Sequence, residues 1–148
     1  MANRLSKVFF MLVRPLARRA VASCGRLAAA LSGGPGSHEV AVGPDNFAAE
    51  VMESRVPVIL DCTASWCPPC KQLKPLLQRA VADADGKLKL AVLDTDAHPQ
   101  LAQQLQVRSL PTVFGLARGE LVDQFVGLVP QPQLDEFLRK LTASAPDP

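Results

Sequence analysis

Two thiols three residues apart, Cys67 and Cys70, carry the most specific chemical pattern in this 148-residue chain. They sit in Trp66-Cys67-Pro68-Pro69-Cys70, directly after an apolar run and at the start of a stretch with helical periodicity. Side chains at i and i+3 on a helix are neighbours, so the two Cβ atoms can meet the separation that a disulfide needs. The first cysteine falls at the helix N-terminus. There, unpaired backbone N–H groups and the positive end of the helix dipole stabilise a thiolate and lower its pKa. The second lies one turn deeper, shielded, and suited to resolving a mixed disulfide. Proline is tolerated in the first turn, because its missing N–H would have no intrahelical partner there. The expected chemistry is dithiol–disulfide exchange.

Other uses of the same residues weigh less. Half a zinc site would need two more ligands; there is no second Cys-x-x-Cys, and His38 and His98 stand alone. A bridged iron–sulfur dimer on the first cysteine meets two prolines that leave few N–H donors for sulfide. No metal is expected. Cys62 alternates with Asp61 on an apolar strand and reads as a small inert core residue, with a minor redox-sensing role left open by its closeness in sequence to Cys67. Asp61 is the informative acid: burying it at the end of an apolar strand is costly without a task or a partner. His98 begins a helix and reads as surface. Trp66, in a loop beside the nucleophile, reads as an apolar docking surface.

The elements that position these residues alternate. Glu39–Val42 is strand-like, and Gly43 and Pro44 break it. Asp45 is expected to cap a short helix carrying Phe47, Val51 and Met52. Arg55 to Cys62 contains a buried strand, Val56, Val58, Ile59, Leu60. A longer helix runs from about Cys67 to Ala84, with Leu73, Leu76, Leu77, Ala80 and Val81 at helical spacing and Pro75 inside it as a kink. Leu88–Leu93 is a second buried strand, and a helix follows over about Pro99–Leu105. Pro111 opens a strand to Leu116, Arg118–Gly119 turns the chain, and Leu121–Val126 returns it as a hairpin. The last helix, about Gln131–Leu141, carries Leu134, Phe137, Leu138 and Leu141 on one face. The order implies an α/β fold: a central mixed sheet with helices on both faces.

Charge divides the chain in two. Of sixteen basic residues, Arg4, Lys7, Arg14, Arg18, Arg19 and Arg26 lie within residues 1–38, which hold no acid. The remainder has ten basic against fourteen acidic residues, a net charge of −4. A mildly acidic domain argues against nucleic-acid binding. No apolar run approaches the ~20 residues that span a bilayer. Four cysteines, unevenly spaced, do not make a secreted disulfide framework. On a helical wheel Arg4, Lys7, Arg14 and Arg18 fall within roughly 80° of arc, opposite Leu5, Val8, Phe9, Leu12, Val13 and Leu16. An acid-free, basic amphipathic helix followed by an Ala/Arg/Ser stretch matches a mitochondrial or plastid transit peptide. A secretory signal comes second, because Val8–Val13 is short for an h-region, and a membrane-surface helix third. Gly33-Gly34-Pro35-Gly36-Ser37 reads as a linker, so a helix packed on the domain is disfavoured. Residues 1–37 are therefore expected to be a cleavable transit peptide and linker, cut between Ala20 and Ser37. This removes Cys24 and leaves 38–145 as the domain.

Over about residues 40–142 the sequence resembles the thioredoxin family, and its mitochondrial members most. Val58-Ile59-Leu60-Asp61 is similar to the family's strand ending in a buried aspartate. Trp66 matches the tryptophan before the first cysteine, Lys71 follows the second, and Pro75 matches the helix-kinking proline. Leu110-Pro111-Thr112 resembles the cis-proline segment that faces the redox pair. Gly119 matches the hairpin glycine, and Phe125-Val126-Gly127 the segment bordering the substrate groove. There are four departures. Pro68 replaces a glycine. Cys62 and Thr63 stand where aromatic or imidazole side chains are usual. Val92 replaces a lysine near the buried aspartate. Gly115 sits mid-strand where an apolar side chain is expected.

The resemblance implies a thioredoxin-like fold and a protein-disulfide reductase. Cys67 is then the nucleophile, Cys70 the resolving thiol, and Asp61 a proton relay acting through water. Trp66, Pro68, Leu110, Pro111, Gly127 and Leu128 line the substrate groove. Implied partners are an NADPH-dependent thioredoxin reductase, peroxiredoxins and other disulfide-bearing proteins, met by a monomer in the mitochondrial matrix. No resident cofactor, nucleic acid or membrane is expected. The rivals are an oxidase or isomerase of the same fold and a redox-switched binding module.

Overall fold

Residues Val58–Thr63 alternate so that Val58, Leu60 and Cys62 face one side and Ile59 and Asp61 the other, and both sides are buried. A strand covered on both faces needs a layer on each, and this fixes the architecture. The computed structural model describes residues 39–145. The strands are β1 (Glu39–Ala41), β2 (Val58–Thr63), β3 (Lys89–Asp94), β4 (Thr112–Ala117) and β5 (Glu120–Val126). The helices are α1 (Pro68–Asp83), α2 (Pro99–Gln104) and α3 (Gln131–Ala143), with a single π-helical turn at Ala48–Met52. The strands form one sheet in the order β1-β3-β2-β4-β5. β1 and β2 run parallel to β3; β4 and β5 are antiparallel to their neighbours. This is the mixed sheet expected of the alternating pattern.

Each face carries its own core. Val58, Leu60, Cys62, Ala91, Leu93, Phe114 and Leu116 pack with Phe47 and Val51 of the π-turn region and with Leu101 and Leu105 at α2. On the other face Ile59, Leu90, Val113 and Phe125 meet Leu73, Leu77 and Val81 of α1 and Leu134, Phe137 and Leu141 of α3. The helical spacing of these side chains explains why α1 and α3 lie on that face. Leu76, assigned to the same apolar set by sequence, is 37% exposed.

Three local features differ from expectation or explain it. The first helical element is a π-turn capped by no side chain; Asp45 does not cap it. Asn46 does the local work instead: its Oδ1 accepts from Gly43 N at 2.8 Å and its Nδ2 donates to Ala41 O at 3.0 Å, closing the turn after β1. Lys89 Nζ donates to Glu50 O at 3.1 Å and pairs with the Glu50 carboxylate, which pins the π-turn to β3. The β4–β5 hairpin turns on Arg118 (φ 54°) and Gly119 (φ 75°). Two consecutive positive φ values make the two-residue turn whose twist suits a hairpin, and glycine adopts one of them without cost. Finally, α1 runs through Pro75 as one element rather than stopping at it.

Candidate active site

The C-terminal end of β2 delivers the chain to Ala64-Ser65-Trp66, and α1 begins two residues later. Cys67 is the N-cap of α1, with extended backbone (φ −92°, ψ 105°), and Pro68 and Pro69 occupy the first helical positions. Prolines fit there because the first-turn N–H groups have no helical acceptor. Cys67 and Cys70 are joined as a disulfide, with Cα atoms 5.3 Å apart. The Cys70 backbone N–H donates to Cys67 Sγ at 3.3 Å. With prolines at 68 and 69, this is the first N–H that α1 itself can offer the sulfur. A thiolate formed at Cys67 would be stabilised by that donor and by the helix dipole.

The two cysteines were expected to differ in shielding. Each is 2% exposed. Leu110 packs against the small apolar cluster of Ala64, Cys67 and Cys70. Their asymmetry therefore lies in position: Cys67 caps the helix, and Cys70 belongs to its first turn. The Leu110–Pro111 peptide is cis, as the resemblance implied. Thr112 Oγ1 donates to Ser109 O at 2.6 Å, and Gly127 N donates to Pro111 O at 2.8 Å. These bonds hold the Leu110 segment beside the dithiol and bring Gly127 to the same end of the sheet. Gly127 has φ 83°, and nothing lies within 4 Å of where its Cβ would be, so backbone conformation and not crowding selects glycine.

Around this pair the surface is apolar. Trp66 is 65% exposed, Leu128 47% and Val126 55%, while Pro68 is exposed and Pro111 buried. Trp66 Nε1 donates to Asp96 Oδ2 at 2.8 Å. Asp94 Oδ1 in turn accepts from the backbone N–H groups of Asp96 and Ala97 and shapes that loop. Asp96 is a site residue that sequence reasoning missed. It lies 30 residues from Trp66, and no local spacing signals the contact.

Asp61 lies on the α1 face of β2, 1% exposed, opposite Val92 on β3 and Val113 on β4. Among the described residues neither of its carboxylate oxygens has a hydrogen-bond partner. Burial in these apolar surroundings pushes its pKa up to about 6, against a smaller downward pull from Lys74 and a small upward push from Glu39. The β3 position opposite Asp61 holds Val92. Cys62 points to the opposite face, fully buried. Burial, and then the neighbouring Asp61 charge, push its thiol strongly up, so it stays protonated and inert. His98, expected at the surface, precedes α2 half-buried, with its imidazole against Gly43. Among the described residues no group of three or more His, Cys, Asp or Glu side chains could hold a metal ion.

The family model described as Thioredoxin matches residues 38–140. "Thioredoxin, mitochondrial" of Bos taurus is 44% identical over 99 residues, covering 67% of this chain and 59% of the relative. The protein of the same name from Mus musculus gives the same identity and coverage. "Thioredoxin 1" of Nostoc sp. is 39% identical over 94 residues, covering 64% of this chain and 88% of the relative. The match therefore spans about three fifths of the mitochondrial relatives' length.

Proposed function

This chain belongs to the thioredoxin family, and from that premise we propose that it reduces protein disulfides by dithiol exchange at Cys67 and Cys70. The observation that carries the reading is the disulfide across the first turn of α1, with Cys67 as N-cap and the Cys70 N–H on its sulfur. In the reduced protein the Cys67 thiolate attacks one sulfur of a substrate disulfide. A mixed disulfide forms, and the other substrate sulfur leaves as a thiolate that takes up a proton. Cys70, deprotonated with Asp61 accepting its proton through water, then attacks Cys67 Sγ. The second substrate thiol leaves, and Cys67–Cys70 is oxidised. Two electrons have passed to the substrate. An NADPH-dependent thioredoxin reductase returns them.

The remaining site residues bind. Trp66, Pro68, Gly127 and Leu128 offer an apolar rim, and Leu110 with Pro111 presents backbone beside the sulfurs for strand-like pairing with an extended substrate segment. Disulfide-bearing proteins are the substrate class, peroxiredoxins among them, met by a monomer. The mitochondrial relatives support a mitochondrial location, in the matrix. Residues 1–37, outside the described part of the structure, would act as the cleavable address and linker, with 38–145 as the working domain.

The decisive assay follows NADPH consumption with thioredoxin reductase and a disulfide-bonded protein as acceptor. Turnover that needs both cysteines is expected. Cys70→Ser should accumulate a mixed disulfide on Cys67, because no resolving thiol remains, and Cys67→Ser should trap nothing. Partner binding without turnover would replace the reductase with a redox-switched binding module.

A further inference from the structure

Among the described residues, Leu76 on α1 is the exposed large apolar side chain that stands apart from Trp66, Val126 and Leu128. It opens a shallow groove of about 730 Å³ between α1 and α3, floored by Ala80, Leu88, Leu134 and Leu138. Four charges line its rims: Arg79 and Asp83 on α1, Asp135 and Arg139 on α3. β2 and β5 are both antiparallel to β4, so they point the same way. α1 follows β2, α3 follows β5, and both pack back on the same sheet face, so the two helices run in the same direction. Along that direction α1 carries a positive and then a negative charge, one turn apart, and α3 carries a negative and then a positive one. Their local partners are weak. Arg79 Nε lies 3.8 Å from Asp83 Oδ2, Gln131 Nε2 donates to Asp135 Oδ1 at 2.8 Å, and Arg139 pairs with Glu136. Exposed pairs of this kind contribute little to stability, so the four charges remain open to other partners.

We propose that this groove is a contact surface for a second copy of the chain, the two copies being related by a two-fold axis along the groove. That axis sets α1 of each copy over α3 of the other. A two-fold contact uses the same patch on both sides and must be complementary to itself. The reversed order of charges on the two helices meets this condition: Arg79 faces Asp135 of the other copy, and Asp83 faces Arg139. The groove holds two positive and two negative charges, so it lacks the repulsion that the net charge of −4 beyond residue 38 imposes elsewhere. Burial of Leu76 and Leu138 drives the association, and the charges fix its register. The groove begins at Leu76, past the dithiol turn of α1. Each copy therefore keeps its redox rim open, and a single protomer still meets the substrate.

The test is sedimentation equilibrium of the full chain in its disulfide form, with Cys24→Ser so that this thiol cannot cross-link copies. The weight-average mass should rise toward twice that of the single chain as concentration increases. Leu76→Asp should abolish the rise, while helix content and disulfide exchange by the reduced protein stay as in the parent. Arg79→Asp should weaken association by about tenfold, because like charges then face each other, and adding Asp135→Arg should restore it. A chain that stays single at every concentration overturns the proposal and leaves the groove to a helix of another protein. Association that survives Leu76→Asp but is lost in Trp66→Asp also overturns it, because the contact then lies at the redox rim. A loss in Arg79→Asp that Asp135→Arg does not recover rejects the two-fold along the groove.

Discussion

Pro68 removes a backbone donor from the residue that follows Cys67, and the Cys67 sulfur accepts from Cys70 N. A thiolate with fewer donors is less stabilised, which makes the reduced form less favourable. Proline also presets the loop, and this favours the closed disulfide. Both effects push toward a more reducing couple. Pro68→Gly should therefore lower the Cys67 pKa and raise the potential by about 30 mV, roughly 1.4 kcal/mol for two electrons. Equilibration against glutathione measures it, and a more negative potential in the variant would refute the donor account. Asp61 sets a second expectation at this scale. Its folded pKa is about 6 against an ordinary 3.8. Between those values the folded protein binds more proton than the unfolded chain, so stability falls as pH rises through that window and stays reduced above it. Two pKa units correspond to about 3 kcal/mol. Asp61→Asn should unfold at higher urea than the parent at pH 7, by up to about that amount, and lose the advantage near pH 4. It should also slow exchange. Unchanged stopped-flow rates across pH 6–9 would take Asp61 off the catalytic list.

Among the elements, β4 shows how a helix and a strand are fitted to each other. Gly115 stands in mid-strand, where a side chain would ordinarily face α3 and add to the core. A Cβ built there would lie 2.9 Å from Phe137 Cζ and 3.3 Å from Leu141 Cδ1. Phe137 has taken the space, and its ring packs edge-on against Phe125 with centroids 5.0 Å apart. The glycine is thus the complement of a large residue on α3, and the β4–β5 register shifts at the same place, between Gly115 and Leu116. Gly115→Val should destabilise the protein by about 1–3 kcal/mol through overpacking. Pairing it with Phe137→Leu should recover part of the loss. Equilibrium urea unfolding of the single and double variants checks this; additive losses would mean that the two residues do not share the volume.

For the whole molecule, charge divides the chain: residues 1–38 hold six basic residues and no acid, and the remainder has a net charge of −4. The described domain carries its redox pair, apolar rim and buried acid at one end of the sheet, built from β2, α1 and the β4 entry. The basic segment, residues 1–37, lies outside the described residues. A reporter fused to residues 1–37 should enter mitochondria and lose the segment, as read by fractionation and by the size of the product. A cytosolic or secreted reporter would reject the transit-peptide reading.

The parts legible in the sequence are those that local spacing controls. Apolar runs located the buried central strands, because both of their faces are covered, and 3.6-residue spacing located α1 and α3, because one face of each packs on the sheet. The Cys-x-x-Cys spacing at a strand-to-helix junction set the chemistry, because a helix turn alone brings i and i+3 together. Arg118-Gly119 marked the hairpin, because backbone dihedrals are a local property. Asp45 was misread as a cap, because whether Asp45 or Asn46 closes that turn depends on the direction in which the chain leaves β1. Everything that joins distant segments needed the fold. The Trp66–Asp96 bond, Phe137 in the space of Gly115, and the Glu39–Lys74 pair between β1 and α1 all follow from how the layers pack on the sheet order β1-β3-β2-β4-β5. Strand order is settled by the total burial that the packed layers achieve. No window of neighbouring residues contains it, so only the tertiary structure could decide which charges and which apolar surfaces surround the two cysteines.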